Sequence, residues 1–167
     1  MLLLDVDGVL TDGTFIPDPL GTSTSSKELK SFHSRDGIGI VLAKKAGLKL
    51  GLISGRASQI VEFRAKDLAM NFIRLGVVDK LPALYEATEQ ESLMESEIAY
   101  MGDDLPDIPI LSRVGLSATV ANAPLDVRSR VDYVTEAKGG HGAVREFIEF
   151  ILKSQDKLDE MTQDYLI

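Results

Sequence analysis

The sequence contains no cysteine, which excludes disulfides and thiolate chemistry and suits a reducing cytoplasm. No apolar stretch approaches the ~20 residues of a membrane span, and the first residues lack the basic flank of a signal peptide. Positive charge is scarce. Lys and Arg number 18 against 26 Asp and Glu, and the formal charge of -8 argues against nucleic acid as a partner. The shortage is also local: between Leu81 and Ser112 there is no Lys or Arg, while Glu86, Glu89, Glu91, Glu95, Glu97, Asp103, Asp104 and Asp107 all fall there. The five glutamates predict a solvated helix face. The three aspartates need a separate account.

What is present suffices for a core. A chain of 167 residues that is 44% hydrophobic fits one domain, residues 1–167, and no repeat or low-complexity linker divides it. Short apolar runs alternate with helical patterns: "MLLLDV", "LKLGLIS", "NFIRL", "EIAYMGD", "GLSATV" and "DYVT" read as strands. Helices are expected near 37–46, 57–69, 80–92, 104–112, 124–130 and 142–153. Strands separated by about 10–15 residues of helix predict parallel βαβ units, hence an α/β fold with a doubly wound, mostly parallel sheet. One segment breaks the rhythm. "GTFIPDPLGTSTSSKELKSFH" has two extended pieces around a Gly/Ser/Thr tip, which predicts a projecting β-hairpin at about 12–33, too short to be a cap domain.

In open parallel sheets, ligands sit at the carboxyl ends of the strands. The first strand delivers Asp5 and Asp7 there, the second Ser54, Gly55 and Arg56, and the fourth Asp103, Asp104 and Asp107; Lys80 opens the helix after the third. Singly, Ser54 or Asp104 would be a helix N-cap and Lys80 a surface lysine. Jointly, several carboxylates at one edge would destabilise the fold unless a hard cation such as Mg²⁺ bound them. A nearby ammonium and hydroxyl supply donors for a phosphoryl group. The pattern predicts a Mg²⁺-dependent phosphoryl site.

The order DxDG, then Ser, then Lys, then GDDxxD resembles the four motifs of the haloacid dehalogenase superfamily of phosphatases. More narrowly, "DVDGVLTDG", "KELKSFHSRDGIGI", "LISGR", "GVVDKL", "YMGDDLPD" and "GGHGAVREF" are similar to the 3-deoxy-D-manno-octulosonate 8-phosphate phosphatase family. The tail "QDKLDEMTQDYL", within 154–167, is similar to that family's C-terminal extension. The resemblance implies a Rossmann-like sheet without a cap domain and a phosphomonoesterase for a small sugar-acid phosphate. Asp5 would be the nucleophile and Asp7 the general acid/base; Asp5, Asp7 (through its backbone carbonyl) and Asp103 would hold Mg²⁺. Ser54, Gly55 and Lys80 would hold the phosphoryl group, while Asp104 and Asp107 would stand around waters or Lys80. Arg35 and Arg56 would flank the pocket and grip the sugar acid's carboxylate bidentately, and Arg56 favours the eight-carbon acid over the alternatives, a nine-carbon sialic-type 9-phosphate or another small sugar phosphate. The resemblance also implies a cytoplasmic homotetramer built by hairpins, with the segment around His141 reaching an adjacent subunit. His141 stands where an arginine is common, and the chain opens directly in its first strand without the family's usual short lead. A receiver-type signalling module, the other reading of such an acidic edge, would carry its phosphoacceptor at the end of the third strand, where this chain has Leu75 and Gly76.

Overall fold

A computed structural model describes residues 1–18 and 28–166. All six sequence-predicted strands are present: β1 (Leu2–Leu4), β4 (Leu50–Ser54), β5 (Phe72–Leu75), β6 (Ala99–Met101), β7 (Leu116–Thr119) and β8 (Tyr133–Val134). Between β1 and β4 stand two further short strands, β2 (Ile16–Pro17) and β3 (Glu28–Leu29). The six form one sheet in the order β5-β4-β1-β6-β7-β8, with every pairing parallel. The chain therefore starts at the centre, winds outward through β4 and β5, then crosses back to build the other half from β6. That reversal makes β1 and its two neighbours the switch point of the sheet, where a crevice opens at the strands' carboxyl ends. Every residue of β1 is buried, as expected of a central strand covered on both faces.

The helices are α1 (Ser34–Lys45), α2 (Gln59–Asp67), α3 (Leu81–Glu91), α4 (Ile108–Leu111), α5 (Leu125–Arg128), α6 (Ala143–Ser154) and α7 (Leu158–Thr162). α1 begins three residues before the expected start because the His33 side chain accepts a hydrogen bond from the Arg35 backbone N–H at 3.2 Å and caps it. α3 ends at Glu91, so only three of the five glutamates share that helix; Glu95 and Glu97 fall in a separate 3₁₀ turn. α6 buries Val144, Phe147, Ile148, Ile151 and Leu152 along one stripe and packs on α1. Its N-terminal residue Gly142 offers no side-chain cap. The buried Asp36 of α1 fills that role, accepting the Arg145 backbone N–H at 2.8 Å. α7, in the tail, also contacts α1 and α6.

β2 and β3 pair antiparallel, Ile16 opposite Leu29 and Pro17 opposite Glu28, as the base of the expected hairpin. The Gly/Ser/Thr tip expected at its centre lies outside the described residues.

The loop leaving β1 is a tight coil in which the Val6 carbonyl accepts from the N–H groups of Val9, Leu10 and Thr11. The segment Lys138–Gly142 lies directly on this loop, Gly140 N–H donating to the Val9 carbonyl at 2.9 Å. A Cβ at Gly139 would stand 1.6 Å from the Gly8 backbone oxygen, closer than any contact allows. Gly139→Ala is therefore expected to destabilise by about 1–3 kcal/mol, the usual cost of overpacking, which is a melting midpoint lower by roughly 2–12 °C for a chain of this size. Calorimetry showing an unchanged midpoint would contradict this contact.

Candidate active site

Four chain segments converge on a cleft of about 480 Å³ at the switch point, lined by Asp5, Asp7, Ser54, Gly55, Arg56, Lys80, Asp103, Asp104 and Asp107 among others. Asp5 leaves β1 with its backbone N–H bonded to the Met101 carbonyl of β6, which ties the two strand ends together. Ser54 is the last residue of β4 and Lys80 immediately precedes α3. Asp103 reaches the cleft only because residue 8 is glycine: a Cβ there would lie 2.0 Å from the Asp103 carboxylate, and Gly8 has a φ of +91° besides. Asp104 caps the 3₁₀ turn Leu105–Asp107 by accepting from the Leu105 N–H at 2.8 Å, the ordinary role that its position allowed.

The electrostatics are one cation short. The Lys80 ammonium is buried and lies 2.6 Å from both Asp5 Oδ1 and Asp107 Oδ1. Asp107 is fully engaged: Oδ1 also accepts from the Tyr100 hydroxyl, and Oδ2 accepts from the backbone N–H groups of Asp103 and Asp104. The Asp103 carboxylate accepts no hydrogen bond among the described residues. Burial raises the Asp5 carboxyl to about 6, against the pull of Lys80 and with the push of Asp107. Burial, followed by repulsion from Asp5 and Asp107, raises Asp103 to about 8. Burial alone would lower Lys80, but Asp5 and Asp107 outweigh it and hold the ammonium above its ordinary value. Asp5, Asp103 and Asp107 each bring a carboxylate oxygen within 4.8 Å of the others. Three hard oxygen donors around one lysine suit a small divalent cation, and with Asp107 committed to four donors, Asp5 and Asp103 are the carboxylates free to hold it.

Beside this cluster stands a second one that the sequence reading missed. Lys30, whose side chain is 3% exposed, is bonded to Asp7 Oδ1 and lies 3.7 Å from Glu28. Glu28 Oε2 in turn accepts from Arg56 Nη2 at 2.8 Å, and the Arg56 guanidinium sits 4.5 Å from the centre of the Phe15 ring. A signal existed in "KELKSF": strand alternation turns Glu28 and Lys30 to one side and Leu29 to the other.

Residues 63–148 match the haloacid dehalogenase-like hydrolase family. Over 160 residues the chain is 41% identical to the 3-deoxy-D-manno-octulosonate 8-phosphate phosphatase KdsC of Escherichia coli K12, covering 96% of this chain and 82% of that protein. The crystal structure of the Moraxella catarrhalis phosphatase of that name, in complex with magnesium ion, phosphate ion and KDO, matches with a TM-score of 0.92 at 40% identity, covering 98% of this chain and 91% of the other. The cobalt-bound Haemophilus influenzae phosphatase matches with a TM-score of 0.88 at 37% identity, over 99% and 95% of the two chains. This chain belongs to the 3-deoxy-D-manno-octulosonate 8-phosphate phosphatase family of haloacid dehalogenase-like hydrolases. It is a phosphatase, which removes the receiver-module alternative.

Of the residues that the sequence singled out in this phosphatase, the fold gathers Asp5, Asp7, Ser54, Gly55, Arg56, Lys80, Asp103, Asp104 and Asp107 around one cleft. The exception is Arg35. It does not line the cleft: it sits in the first turn of α1, and its Nη2 lies 3.5 Å from the His141 carbonyl oxygen. The early helix start, capped by His33, turns it toward the α6 end of the chain. His141 itself is exposed and meets Arg35 only through its backbone.

The raised carboxyls give metal binding a proton signature. Asp5 and Asp103 hold protons more tightly folded than unfolded, so their contribution to stability is full below about pH 4 and is lost as pH rises through about 6 and about 8. Divalent metal should therefore raise the melting midpoint more at pH 8 than at pH 5, and its binding at pH 7 should release protons. Titration calorimetry in buffers of different ionisation enthalpy measures that release. Equal heats in all buffers would show that both carboxyls are already ionised before the metal binds.

Proposed function

We propose that this phosphatase hydrolyses 3-deoxy-D-manno-octulosonate 8-phosphate in a Mg²⁺-dependent reaction through an aspartyl-phosphate on Asp5. The observation that carries the reading is the buried Lys80 bridging Asp5 and Asp107 beside the unbonded Asp103 carboxylate, in a chain 40% identical along nearly its whole length to a phosphatase crystallised with magnesium, phosphate and KDO.

Each residue then has a task. Asp5, with Oδ1 held by Lys80, attacks phosphorus; the bond from phosphorus to the sugar oxygen breaks as Asp7 protonates that oxygen. Asp7 next takes a proton from a water that attacks the aspartyl-phosphate, releasing phosphate and regenerating Asp5. Lys80 and Ser54 hold the phosphoryl oxygens, Gly55 leaves room for them, and Lys80 offsets charge that grows in the transition state. Asp5, Asp103 and the Asp7 carbonyl are the groups that would hold Mg²⁺, which supplies positive charge against the phosphoryl oxygens. Asp107 orients Lys80, and Asp104 shapes the turn that carries Asp103. Arg56 takes the sugar-acid carboxylate: a guanidinium has five N–H donors, so the bond to Glu28 leaves others for the ligand.

The same reading makes residues 1–167 one phosphatase domain with hairpin 12–33 and tail 154–167, working as a cytoplasmic homotetramer. The exposed Phe15, Ile16 and Leu29 on the hairpin base support assembly through that element. The absence of cysteine suits the compartment, and no helix of the described residues is long and apolar enough to cross a membrane.

Asp5→Asn is expected to lower turnover by more than ~10²-fold, because an amide cannot attack phosphorus, with the melting midpoint kept. Retention of more than about a hundredth of the wild-type rate would reassign the nucleophile. Arg56→Ala should lower kcat/KM for the octulosonate ester by roughly ten- to a hundred-fold, the scale of a charge-assisted hydrogen bond, while barely changing p-nitrophenyl phosphate hydrolysis. Equal losses on both substrates would move Arg56 to the phosphoryl site. A panel of sugar phosphates, including a nine-carbon 9-phosphate, assayed with Mg²⁺ and after chelation decides the substrate and the metal together.

A further inference from the structure

We propose that Lys30, at the base of the hairpin, is the positioning residue for Asp7: it binds one carboxylate oxygen and thereby presents the other to the substrate's leaving oxygen. The inference rests on the reading of Asp7 as general acid/base and deepens it.

The two oxygens of Asp7 have different surroundings. Oδ1 is bonded to the Lys30 ammonium and lies 3.5 Å from the Thr11 hydroxyl, at the outer limit of a hydrogen bond. Oδ2 accepts no hydrogen bond among the described residues; the nearest cation, Arg56 Nε, is 3.8 Å away. An ammonium has protons to donate and no lone pair, so the oxygen facing Lys30 serves as an acceptor. The proton delivered to the leaving oxygen therefore rides on Oδ2: the Oδ2–H bond breaks as the sugar O–H bond forms, and later re-forms at the expense of a water O–H.

Burial makes this pair more than a surface ornament. Exposed ion pairs are screened and hold their partners weakly, but the Lys30 side chain is 3% exposed while Asp7 remains 27% exposed and open to the cleft. Glu28, 3.7 Å from the ammonium, adds a second anion that keeps Lys30 in place. The loop bearing Asp7 has its own backbone bonds to Val6, so Lys30 acts on the carboxylate rather than on the loop. Asp5, Asp103 and Lys80 do not touch it in any of these contacts.

The test uses leaving groups. A p-nitrophenyl group departs with little need of a proton, whereas an alkyl group such as that of glycerol phosphate needs one. Neither ester carries a carboxylate, so Arg56 does not enter. Lys30→Met is expected to lower kcat/KM for the alkyl ester by roughly ten- to a hundred-fold, the scale of one charge-assisted hydrogen bond, and to change the aryl ester less than about three-fold. Lys30→Arg should restore most of the difference. Lys30→Gln, which keeps donors but loses the charge, should fall between and stands in if the Met variant does not fold. Asp7→Asn should discriminate between the esters in the same direction and more strongly. Equal losses on both esters, or none, in Lys30→Met and Lys30→Gln while Asp7→Asn discriminates would overturn the proposal alone. If Asp7→Asn does not discriminate either, the acid/base reading of Asp7 falls and takes this proposal with it.

Discussion

Repulsion among buried carboxylates at the sheet's centre is the constraint around which the rest of the structure is arranged. Asp5, Asp103 and Asp107 stand together with one internal cation, Lys80, and burial makes each charge expensive. The fold answers differently for each. Asp107 is satisfied by four donors, among them the wholly buried Tyr100 hydroxyl, whose own ionisation burial and Asp107 push well above the ordinary range. Asp5 shares Lys80. Asp103 accepts no hydrogen bond among the described residues, and burial, followed by repulsion from Asp5 and Asp107, raises its carboxyl to about 8. The imbalance is a binding preference for positive charge, built before any ligand arrives.

Geometry follows from sheet order. β1 at the centre places its carboxyl end between those of β4 and β6, and neighbouring strands lie ~4.8 Å apart. Three consecutive strand ends therefore bring Asp5, Ser54 and Asp103 to one cleft, without any long loop. The close approach still needs bare backbone. Gly8 admits the Asp103 carboxylate and Gly139 admits the Gly8 carbonyl, so the segment before α6 braces the catalytic loop from behind.

Much of this was legible because its causes are local. Buried parallel strands read as continuous apolar runs, so all six strands showed in the sequence, and a strand's end tells which residues reach the crevice. What was hidden depends on partners far along the chain. Tyr100 reads as a core aromatic; only its approach to Asp107 reveals a polar task. Asp36 carries no sequence signal of its partner, yet it caps α6 across 109 residues of sequence. The tail looked like an extension, but α7 docks on α1 and α6, Met161 being buried. Arg35 was expected to flank the cleft, but α1 starts at Ser34 and carries it in its first turn, with its guanidinium at the His141 carbonyl.

The hairpin base joins two ion pairs that a sequence reading keeps apart. Glu28 holds Arg56, Lys30 holds Asp7, and Glu28 and Lys30 lie 3.7 Å from one another, so both ion pairs hang on alternate residues at the end of one short strand pair. The coupling is unequal. Arg56 is half exposed, stacked on an exposed Phe15, and its pair with Glu28 can be shared with an incoming carboxylate at small cost. Lys30 is almost wholly enclosed, and nothing from solvent competes for it. On the function proposed above, recognition is thus placed on the soft member of the pair and chemistry on the stiff one. On that reading the grip on the sugar acid adjusts to the ligand while the Asp7 carboxylate stays aimed at the leaving oxygen.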